Sequence, residues 1–180
     1  MIAALAKGSS EIGGLLDAAD PFSTRRCLTS LGIEFEWHGD VLRVHGRGLR
    51  GLRAPISLLD AGNSGTTIRL LSGILAGQPF SSTITGDDSL RSRPMKRITE
   101  PLSQMGARFT MSPEGTAPLD ILGASPLQPI DYRMPISSAQ VKSAILFAGL
   151  FADGTARVSE RTLTRDHTER MLGLTTTRST

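Results

Sequence analysis

The sequence predicts an α/β (α+β) fold of repeated βαβαββ units, and three observations support this prediction. Three segments each pass from a helix end through a Gly-containing turn into a strand. Their aligned strand residues Ile12, Ile84 and Val158 recur at intervals of about 72–74 residues. Gly32 and Gly106, each at the end of a predicted helix, are separated by the same interval. A hydrophobic content of 39% with 21% charged residues is sufficient for a packed core.

The predicted elements follow one order in each copy of a unit of about 70–75 residues. Two of the helices open at Asp20-Pro21 and Arg93-Pro94, because proline near a helix start and glycine just after its end are typical of helix boundaries. A pair of strands follows each of these helices. In chain order we predict a helix over 20–31, strands over 33–37 and 41–44, a helix near 66–75, a strand at Ile84, a helix over 94–105, strands over 107–111 and 119–122, a helix near 139–150, a strand at Val158 and a helix opening over 165–172.

The unit boundaries follow from this order. The three copies cover about residues 1–53, 54–125 and 126–172. Ala54-Pro55-Ile56-Ser57 and Met134-Pro135-Ile136-Ser137 are paired as the entrances to the second and third copies, although the interval between their serines is slightly longer than the other intervals. The first copy starts partway through its first helix, and the third stops where its second helix should run. We therefore expect most of one domain over residues 1–172, truncated at both ends, and a non-matching tail over 173–180.

Composition argues against several functional classes. The net charge is only +3, aromatic residues make up 4%, and no run of five like charges occurs, so nucleic-acid binding is not expected. The mild basic excess suits small anionic ligands. Cys27 is the single cysteine, which favours a reducing compartment. No apolar run reaches the roughly 18 residues of a membrane span, and no leader is evident, so a cytoplasmic location is expected. The three histidines form no cluster with cysteine, and no metal is expected.

The run Gly62–Arg69 opens an apolar helix and is the strongest candidate for a binding site. Backbone N–H groups and hydroxyls at a helix N-terminus form an anion site, and Gly65 would let a ligand approach the backbone closely. The alternative is a capped helix after a tight turn, because Asn and Ser are good caps. The residues alone leave both interpretations open.

A second candidate is the polar loop that ends in Arg91, Arg93 and Pro94, between a strand and a helix. Arginine suits bidentate recognition of carboxylate and phosphate groups. The alternative is a solvated loop in which the arginines pair with Asp87 and Asp88. On the residues alone, this alternative is slightly favoured.

A third candidate is the helix start at Ser137-Ser138-Ala139-Gln140. The hydroxyl of Ser138 and the amide of Gln140 are suited to hydrogen bonding with a polyhydroxy ligand. The alternative, which the residues alone favour, is helix capping by Ser137 or Ser138.

The fourth candidate is the segment Arg165–Arg170, where His167 follows Asp166. No serine or cysteine nucleophile motif accompanies this histidine, so a structural role at a helix start is preferred. All four segments lie at strand-to-helix entrances. Because equivalent entrances of related units gather on one face, we predict that these segments share a single site.

The four segments together resemble the 5-enolpyruvylshikimate-3-phosphate (EPSP) synthase family over about residues 1–172. The matching stretches are Leu59-Asp60-Ala61-Gly62-Asn63-Ser64-Gly65-Thr66-Thr67, Gly86-Asp87-Asp88-Ser89-Leu90-Arg91-Ser92-Arg93-Pro94-Met95, Pro135-Ile136-Ser137-Ser138-Ala139-Gln140-Val141-Lys142-Ser143-Ala144 and Arg165-Asp166-His167-Thr168-Glu169-Arg170-Met171-Leu172. The resemblance implies an inside-out α/β barrel domain of βαβαββ units. It also implies a transferase of the shikimate pathway that moves the enolpyruvyl group of phosphoenolpyruvate onto the 5-hydroxyl of shikimate 3-phosphate, releases phosphate and uses no cofactor.

The resemblance also implies roles for individual residues. Gly65, Arg93 and Gln140 are implied contacts of phosphoenolpyruvate. The shikimate 3-phosphate cradle is implied to comprise Ser138, Ala139, Gln140 and Arg165, and the first loop is implied to be shaped by Asn63 and Thr66. No residue of this chain is given a catalytic role, because the resemblance places the acid–base groups in a C-terminal domain.

Departures from the family define the alternatives. A Gly-Asp-Lys-Ser-Ile-Ser-His-Arg type motif would precede residue 1, so we expect a fragment that is inactive alone and holds a partial site. A non-catalytic anion-binding or interaction domain, paired with a separate C-terminal half, is the alternative. A UDP-N-acetylglucosamine enolpyruvyl transferase is disfavoured because Cys27 lies on a helix rather than in a reactive loop. An RNA 3′-phosphate cyclase is disfavoured by the low aromatic content.

Overall fold

A computed structural model describes residues 1–176, and its elements follow the predicted order. In chain order they are α1 (Ile2–Leu5), β1 (Lys7–Ile12), α2 (Ala19–Ser30), β2 (Glu34–His38), β3 (Val41–Arg47), β4 (Leu59–Asp60), α3 (Gly65–Ala76), β5 (Ser81–Thr85), α4 (Asp88–Arg91), α5 (Lys96–Gln104), β6 (Arg108–Thr110), β7 (Leu119–Leu122), β8 (Asp131–Arg133), α6 (Ala139–Gly149), β9 (Arg157–Ser159) and α7 (His167–Leu172). The short helix α4 is absent from the predicted series. Residues 177–180 of the predicted tail lie outside the described residues, and that tail stays a prediction.

The three sheets are parts of one strand pattern. The second sheet has the order β4-β5-β7-β6, with β4 parallel to β5 and the other pairs antiparallel. The first sheet, β1-β3-β2, reproduces the antiparallel β5-β7-β6 portion. The third, β8-β9, reproduces the parallel β4-β5 portion. The repeated βαβαββ fold is therefore confirmed.

The strand register supports the repeat residue by residue. Equivalent rows of paired residues are Ser10–Val44–Phe35 in the first sheet and Ser82–Ile121–Phe109 in the second. The two serines are separated by one repeat unit, and so are the two phenylalanines. The spacing read from the sequence thus corresponds to the same hydrogen-bonded position in both sheets.

The helices occupy the interior and the sheets surround them. Nine of the 12 residues of α3 are buried, and α6 is buried along most of its length. A Cβ on Gly73 of α3 would overlap the carbonyl oxygen of Ala144 of α6, so the two backbones touch. In contrast, β7 buries alternate residues and exposes the others. The longest described helices have 12 residues, and no helix within residues 1–176 is both long and apolar enough to cross a membrane.

The predicted pairing of the two Pro-Ile-Ser motifs is wrong. Ser57 precedes β4, whereas Ser137 follows β8, so the motifs occupy different places in their units. The equivalent positions are Ser64 and Ser138, which cap α3 and α6 and are separated by one repeat unit. The cap position keeps the general spacing because the strand before it fixes where the helix starts. The two Pro-Ile-Ser tripeptides share only their composition, because they lie in loops at different places in their units.

Candidate functional site

At the entrance to α3, Ser64 caps the helix and Gly65 lies beneath two arginine side chains. The buried Ser64 hydroxyl accepts hydrogen bonds from the Thr67 N–H at 3.1 Å and from the Thr67 hydroxyl at 2.8 Å. Gly65 follows, and a Cβ there would lie 2.6 Å from Arg69 Nη1 and 3.0 Å from Arg93 Nη1. The missing side chain therefore lets two guanidinium groups converge on the first turn of the helix. The two interpretations of this segment, helix cap and anion site, are compatible because different residues serve them.

Asn63 joins the first candidate loop to the second. Its Nδ2 donates to Asp87 Oδ2 at 2.8 Å, and its Oδ1 accepts from Arg93 Nη2 at 2.6 Å. Asp87 also caps α4 by accepting from Leu90 N at 2.8 Å. The hydrogen bond from Asn63, then that from Leu90, holds the pKa of the Asp87 carboxyl below its usual value.

The arginines of the second loop differ in their partners. Arg91 pairs with Asp88 at 2.7 Å on the surface, as the solvated-loop alternative predicts. Arg93 instead contacts the neutral amide of Asn63 and forms no ion pair within residues 1–176, although its charge contributes to lowering the pKa of Asp87. The loop therefore contains one paired surface arginine and one arginine directed at the site.

Arg69 belongs to the site, although the sequence analysis gives it no role. It lies one turn after Gly65, and its Nη1 donates to Gly65 O at 3.3 Å and to Gln140 Oε1 at 3.1 Å. Burial, followed by the charges of Arg93 and Arg97, lowers the pKa of its guanidinium. The group stays charged because an arginine does not deprotonate in proteins. In the sequence Arg69 is one charged residue in an otherwise apolar helix, and nothing local places it beside Gln140, 71 residues away.

Gln140 connects the third segment to the first. Its Nε2 donates to Thr66 Oγ1 at 3.0 Å, while its Oε1 accepts from Arg69. Thr66 and Gln140 are separated by one repeat unit, so they hold the same position in their repeats. The first turns of α3 and α6 are thus tied by a side-chain bridge in addition to their packing.

The entrance to α6 repeats the cap geometry of α3. Ser138 Oγ accepts from Val141 N at 3.4 Å, which is longer than the Ser64 bond. Ser137 caps nothing on α6, because its hydroxyl accepts from Thr162 N at 3.0 Å. The capping interpretation is confirmed for Ser138. Its hydroxyl retains further capacity for a ligand because an oxygen accepts more than one hydrogen bond.

A cavity of about 380 Å³ lies between α3, α6 and the segment before α7. Its polar lining includes Thr66, Gln140, Arg165 and His167. Ala139 lines it at the first position of α6. Arg165 is exposed, and His167 is the first residue of α7, as predicted. The cavity therefore joins the fourth segment to the first and third.

A buried ion cluster supports the segment that carries Arg165. Lys142 Nζ lies 2.7 Å from Glu160 Oε1 and 2.7 Å from Glu169 Oε1, with all three side chains under a tenth exposed. Burial alone would lower the pKa of Lys142, but its hydrogen bonds to the two carboxylates outweigh burial and raise it. Burial would raise the pKa of Glu160, but the hydrogen bonds from Lys142 and Thr164 lower it. This long-range cluster has no signal in the sequence.

The structure thus brings the predicted site residues to one face. Asn63, Gly65, Thr66, Arg93 and Gln140 are linked through direct contacts. Of the remaining three, two line the same cavity and one caps the helix beside it: Ala139, Arg165 and Ser138. Within residues 1–176, no carboxylate forms an ion pair with Arg69, Arg93 or Arg97. Unpaired guanidiniums beside a helix N-terminus form a receptor for phosphate and carboxylate groups.

A family model described as EPSP synthase (3-phosphoshikimate 1-carboxyvinyltransferase) matches residues 1–176. The chain is 54% identical to the 3-phosphoshikimate 1-carboxyvinyltransferase of Methylococcus capsulatus over 173 residues, covering 96% of this chain and 40% of the relative. It is 56% identical to that of Herpetosiphon aurantiacus, covering 94% of this chain and 39% of the relative. The chain therefore spans about 40% of the length of these relatives.

A solved structure gives the same result for the fold. The EPSP synthase of Acinetobacter baumannii superposes with a TM-score of 0.91 at 47% identity, covering 95% of this chain and 39% of that one. The similarity covers 95% of this chain and therefore nearly all of the described elements.

Proposed function

Because the chain belongs to the EPSP synthase family, we propose that it forms the part of the site that holds shikimate 3-phosphate and phosphoenolpyruvate. The observation that carries the proposal is the convergence of the Arg69 and Arg93 guanidiniums on Gly65, beside Gln140. Two polyanions that react with each other must be held together against their repulsion. Cations and helix N-termini in fixed geometry bind the two polyanions and offset this repulsion.

Phosphoenolpyruvate is assigned to the arginine cluster. Gly65 lets the guanidiniums of Arg69 and Arg93 approach the helix start. Arg93 has no ion-pair partner among the described residues, and the amide of Gln140 lies beside Arg69. Asn63 and Thr66 shape the loop by holding Arg93 and Gln140, respectively. An anion bound here relieves the mutual repulsion of the arginines, which supports the assignment.

Shikimate 3-phosphate is assigned to the cavity next to that cluster. Ser138, Ala139 and Gln140 present a hydroxyl, a helix N-terminus and an amide, which suit the polar groups of a polyhydroxy ring. Arg165 lies at the cavity wall, exposed and suited to the phosphate. Because Gln140 contributes to both positions, the two ligands would be neighbours.

The activity proposed for the complete enzyme is transfer of the enolpyruvyl group to the 5-hydroxyl of shikimate 3-phosphate with release of phosphate. This chain spans about 40% of the length of the relatives, and arginine, amide and hydroxyl groups that suit anion binding dominate its polar site residues. We assign to these residues a partial site that does not turn over alone and that a C-terminal half would complete. No metal or organic cofactor is assigned. The single cysteine supports a cytoplasmic location.

The binding proposal is tested by calorimetric titration of the folded chain with shikimate 3-phosphate. Saturable binding that Arg165→Ala weakens, but leaves measurable, and Arg161→Ala preserves is the expected result. Arg161 is the matched control because it is exposed in the same segment and does not line the cavity. Equal losses of affinity in the two variants would show that net charge alone accounts for the loss. That result would contradict a specific contact between Arg165 and the phosphate.

The partial-site proposal is tested by measuring phosphate release from the two substrates. We expect none from the chain alone, and release when a C-terminal half taken from a relative is added. Sustained release by the chain alone would contradict the assignment of a partial site.

A further inference from the structure

The ammonium of Lys142 lies at the base of a closed loop. Lys142 closes the first turn of α6, two residues after Gln140, the last of the α6 residues assigned to shikimate 3-phosphate. Glu160 and Glu169, its two partners, are the two ends of a ten-residue segment that follows β9 and runs into α7. One cation therefore holds both ends of this segment, residues 160–169, against α6.

Two further contacts attach the same segment to α6 and to the residue before its cap. Thr162 N donates to Ser137 Oγ at 3.0 Å, and the Thr168 and Ser143 hydroxyls are 2.7 Å apart. Within the segment, Thr164 donates to Glu160 from its N–H at 3.0 Å and from its hydroxyl at 2.7 Å. The Glu160 carboxylate thus transmits the position of the ammonium to the residue next to Arg165.

We infer that Lys142 is a positioning residue that holds Arg165 at the cavity by closing the segment 160–169, an inference that rests on the proposed function. Lys142 itself is buried, and the cavity lining does not include it. Its action on a ligand would therefore pass through Arg165, which projects from the middle of the closed segment.

Replacing Lys142 by methionine tests this inference, because methionine is long enough to fill the space and carries no charge. Two buried carboxylates would then face each other without a cation. Such a pair takes up a proton or separates. Separation opens the segment at its base and releases Arg165, while the sheets and α3 keep their packing.

Hydrogen–deuterium exchange of the 180-residue chain gives the first readout. In Lys142→Met we expect the amides of Thr162 and Thr164 to exchange about tenfold faster, with α3 unchanged. The matched control is Lys96→Met, which removes an exposed lysine from the start of α5 and should leave both regions unchanged. Unaltered exchange at Thr162 and Thr164 would overturn the inference.

A second variant covers the case in which Lys142→Met does not fold. Glu169→Gln keeps the side-chain shape and the Lys142–Glu160 pair but removes one buried charge. We expect a smaller increase in exchange that is confined to the segment and to α7. An increase spread equally over the whole chain in either variant would assign the cluster to overall stability and overturn the inference.

Titration with shikimate 3-phosphate gives the second readout. If Lys142 acts through Arg165, the double variant Lys142→Met/Arg165→Ala binds no more weakly than Arg165→Ala alone. Additive losses would overturn the inference. If the unaltered chain does not bind this ligand, the binding proposal fails, while the exchange result still decides whether Lys142 closes the segment.

Discussion

Arg69 Nη1 donates a 3.1 Å hydrogen bond to Gln140 Oε1, joining the second turn of α3 to the first turn of α6, one repeat later in the chain. The donor is half-buried. Burial is the largest cause that lowers its pKa, and the charges of two neighbouring arginines lower it further. The contact therefore holds a cation where the unliganded fold would favour a neutral group. Such an arrangement is typical of a binding site that is stabilised by its ligand.

Arg69→Met should weaken anion binding without destabilising the unliganded chain. Loss of one charge-assisted contact corresponds to about a tenfold lower affinity for phosphoenolpyruvate. Relief of repulsion from Arg93 and Arg97 compensates for the lost bond to Gln140 in the free energy of unfolding. Thermal denaturation with and without phosphoenolpyruvate measures both effects. A large drop in Tm without ligand would show that Arg69 is structural.

Gly65→Ala should separate ligand binding from stability. Alanine is favoured over glycine in a helix by about 1 kcal/mol, so Tm should not fall. The new Cβ would displace the tips of Arg69 and Arg93, which are the flexible ends of long side chains. Titration with phosphoenolpyruvate should show weaker binding, with shikimate 3-phosphate less affected.

The control for this substitution is Gly13→Ala, where a Cβ meets nothing within 4 Å. It should leave both affinities unchanged. Equal phosphoenolpyruvate affinity in the Gly65→Ala variant and the unaltered chain would contradict the assignment of this ligand to the α3 entrance.

Ser64→Ala should mainly lower stability and Ser138→Ala should mainly weaken binding, although the two serines are equivalent in the repeat. Ser64 is buried and accepts two bonds from Thr67, so its loss should cost about 1–2 kcal/mol of the free energy of unfolding. Ser138 accepts a longer bond and borders the cavity, so its loss should cost less but weaken shikimate 3-phosphate binding. Urea denaturation and titration of both variants decide. A greater loss of stability in Ser138→Ala would contradict this prediction.

Cys27 should make the chain less stable at high pH. Burial, opposed by Arg26 and assisted by Asp60, raises the pKa of the thiol from 9.0 to about 11. Below pH 9 the thiol is protonated in both states and this contribution is complete. Between pH 9 and 11 the unfolded chain releases the proton first, so about 2 kcal/mol is lost as the pH rises.

Urea denaturation at pH 8 and pH 10.5 measures this loss, and Cys27→Ala is the reference. The variant should show a smaller change between the two pH values because no thiol titrates in either state. Because the thiol is buried, it should also resist alkylation at pH 8 until the chain unfolds. Rapid alkylation of the folded chain would contradict the burial.

The fold could be predicted from the sequence because each repeat is marked by residues whose structure depends on their neighbours in the chain. Gly32 and Gly106 end their helices with φ values of +89° and +106°, which only glycine adopts readily. Phe35 and Phe109 then fall on the same row of equivalent sheets. Because these positions depend on neighbours in the chain, the regular spacing of such residues is enough to predict the repeated fold.

Contacts between distant segments could not be read in this way. Arg69 has the neighbours of a core residue along the chain, and only the folded structure places it beside Gln140, 71 residues away. Lys142 likewise meets Glu160 and Glu169 through tertiary packing. The candidate site residues could be predicted because they lie at helix entrances, whereas the residues that contact and support them lie along helices and loops without a local pattern.

The contact of Gly73 with the Ala144 carbonyl sets the spacing between α3 and α6 through main-chain atoms. Side chains can adjust their rotamers, but two touching backbones cannot move closer. The helix starts, at Gly65 and Ala139, therefore belong to two helices that cannot approach each other more closely at Gly73. Substitutions of cavity side chains leave this limit unaltered, whereas a side chain at position 73 would push the two helices apart.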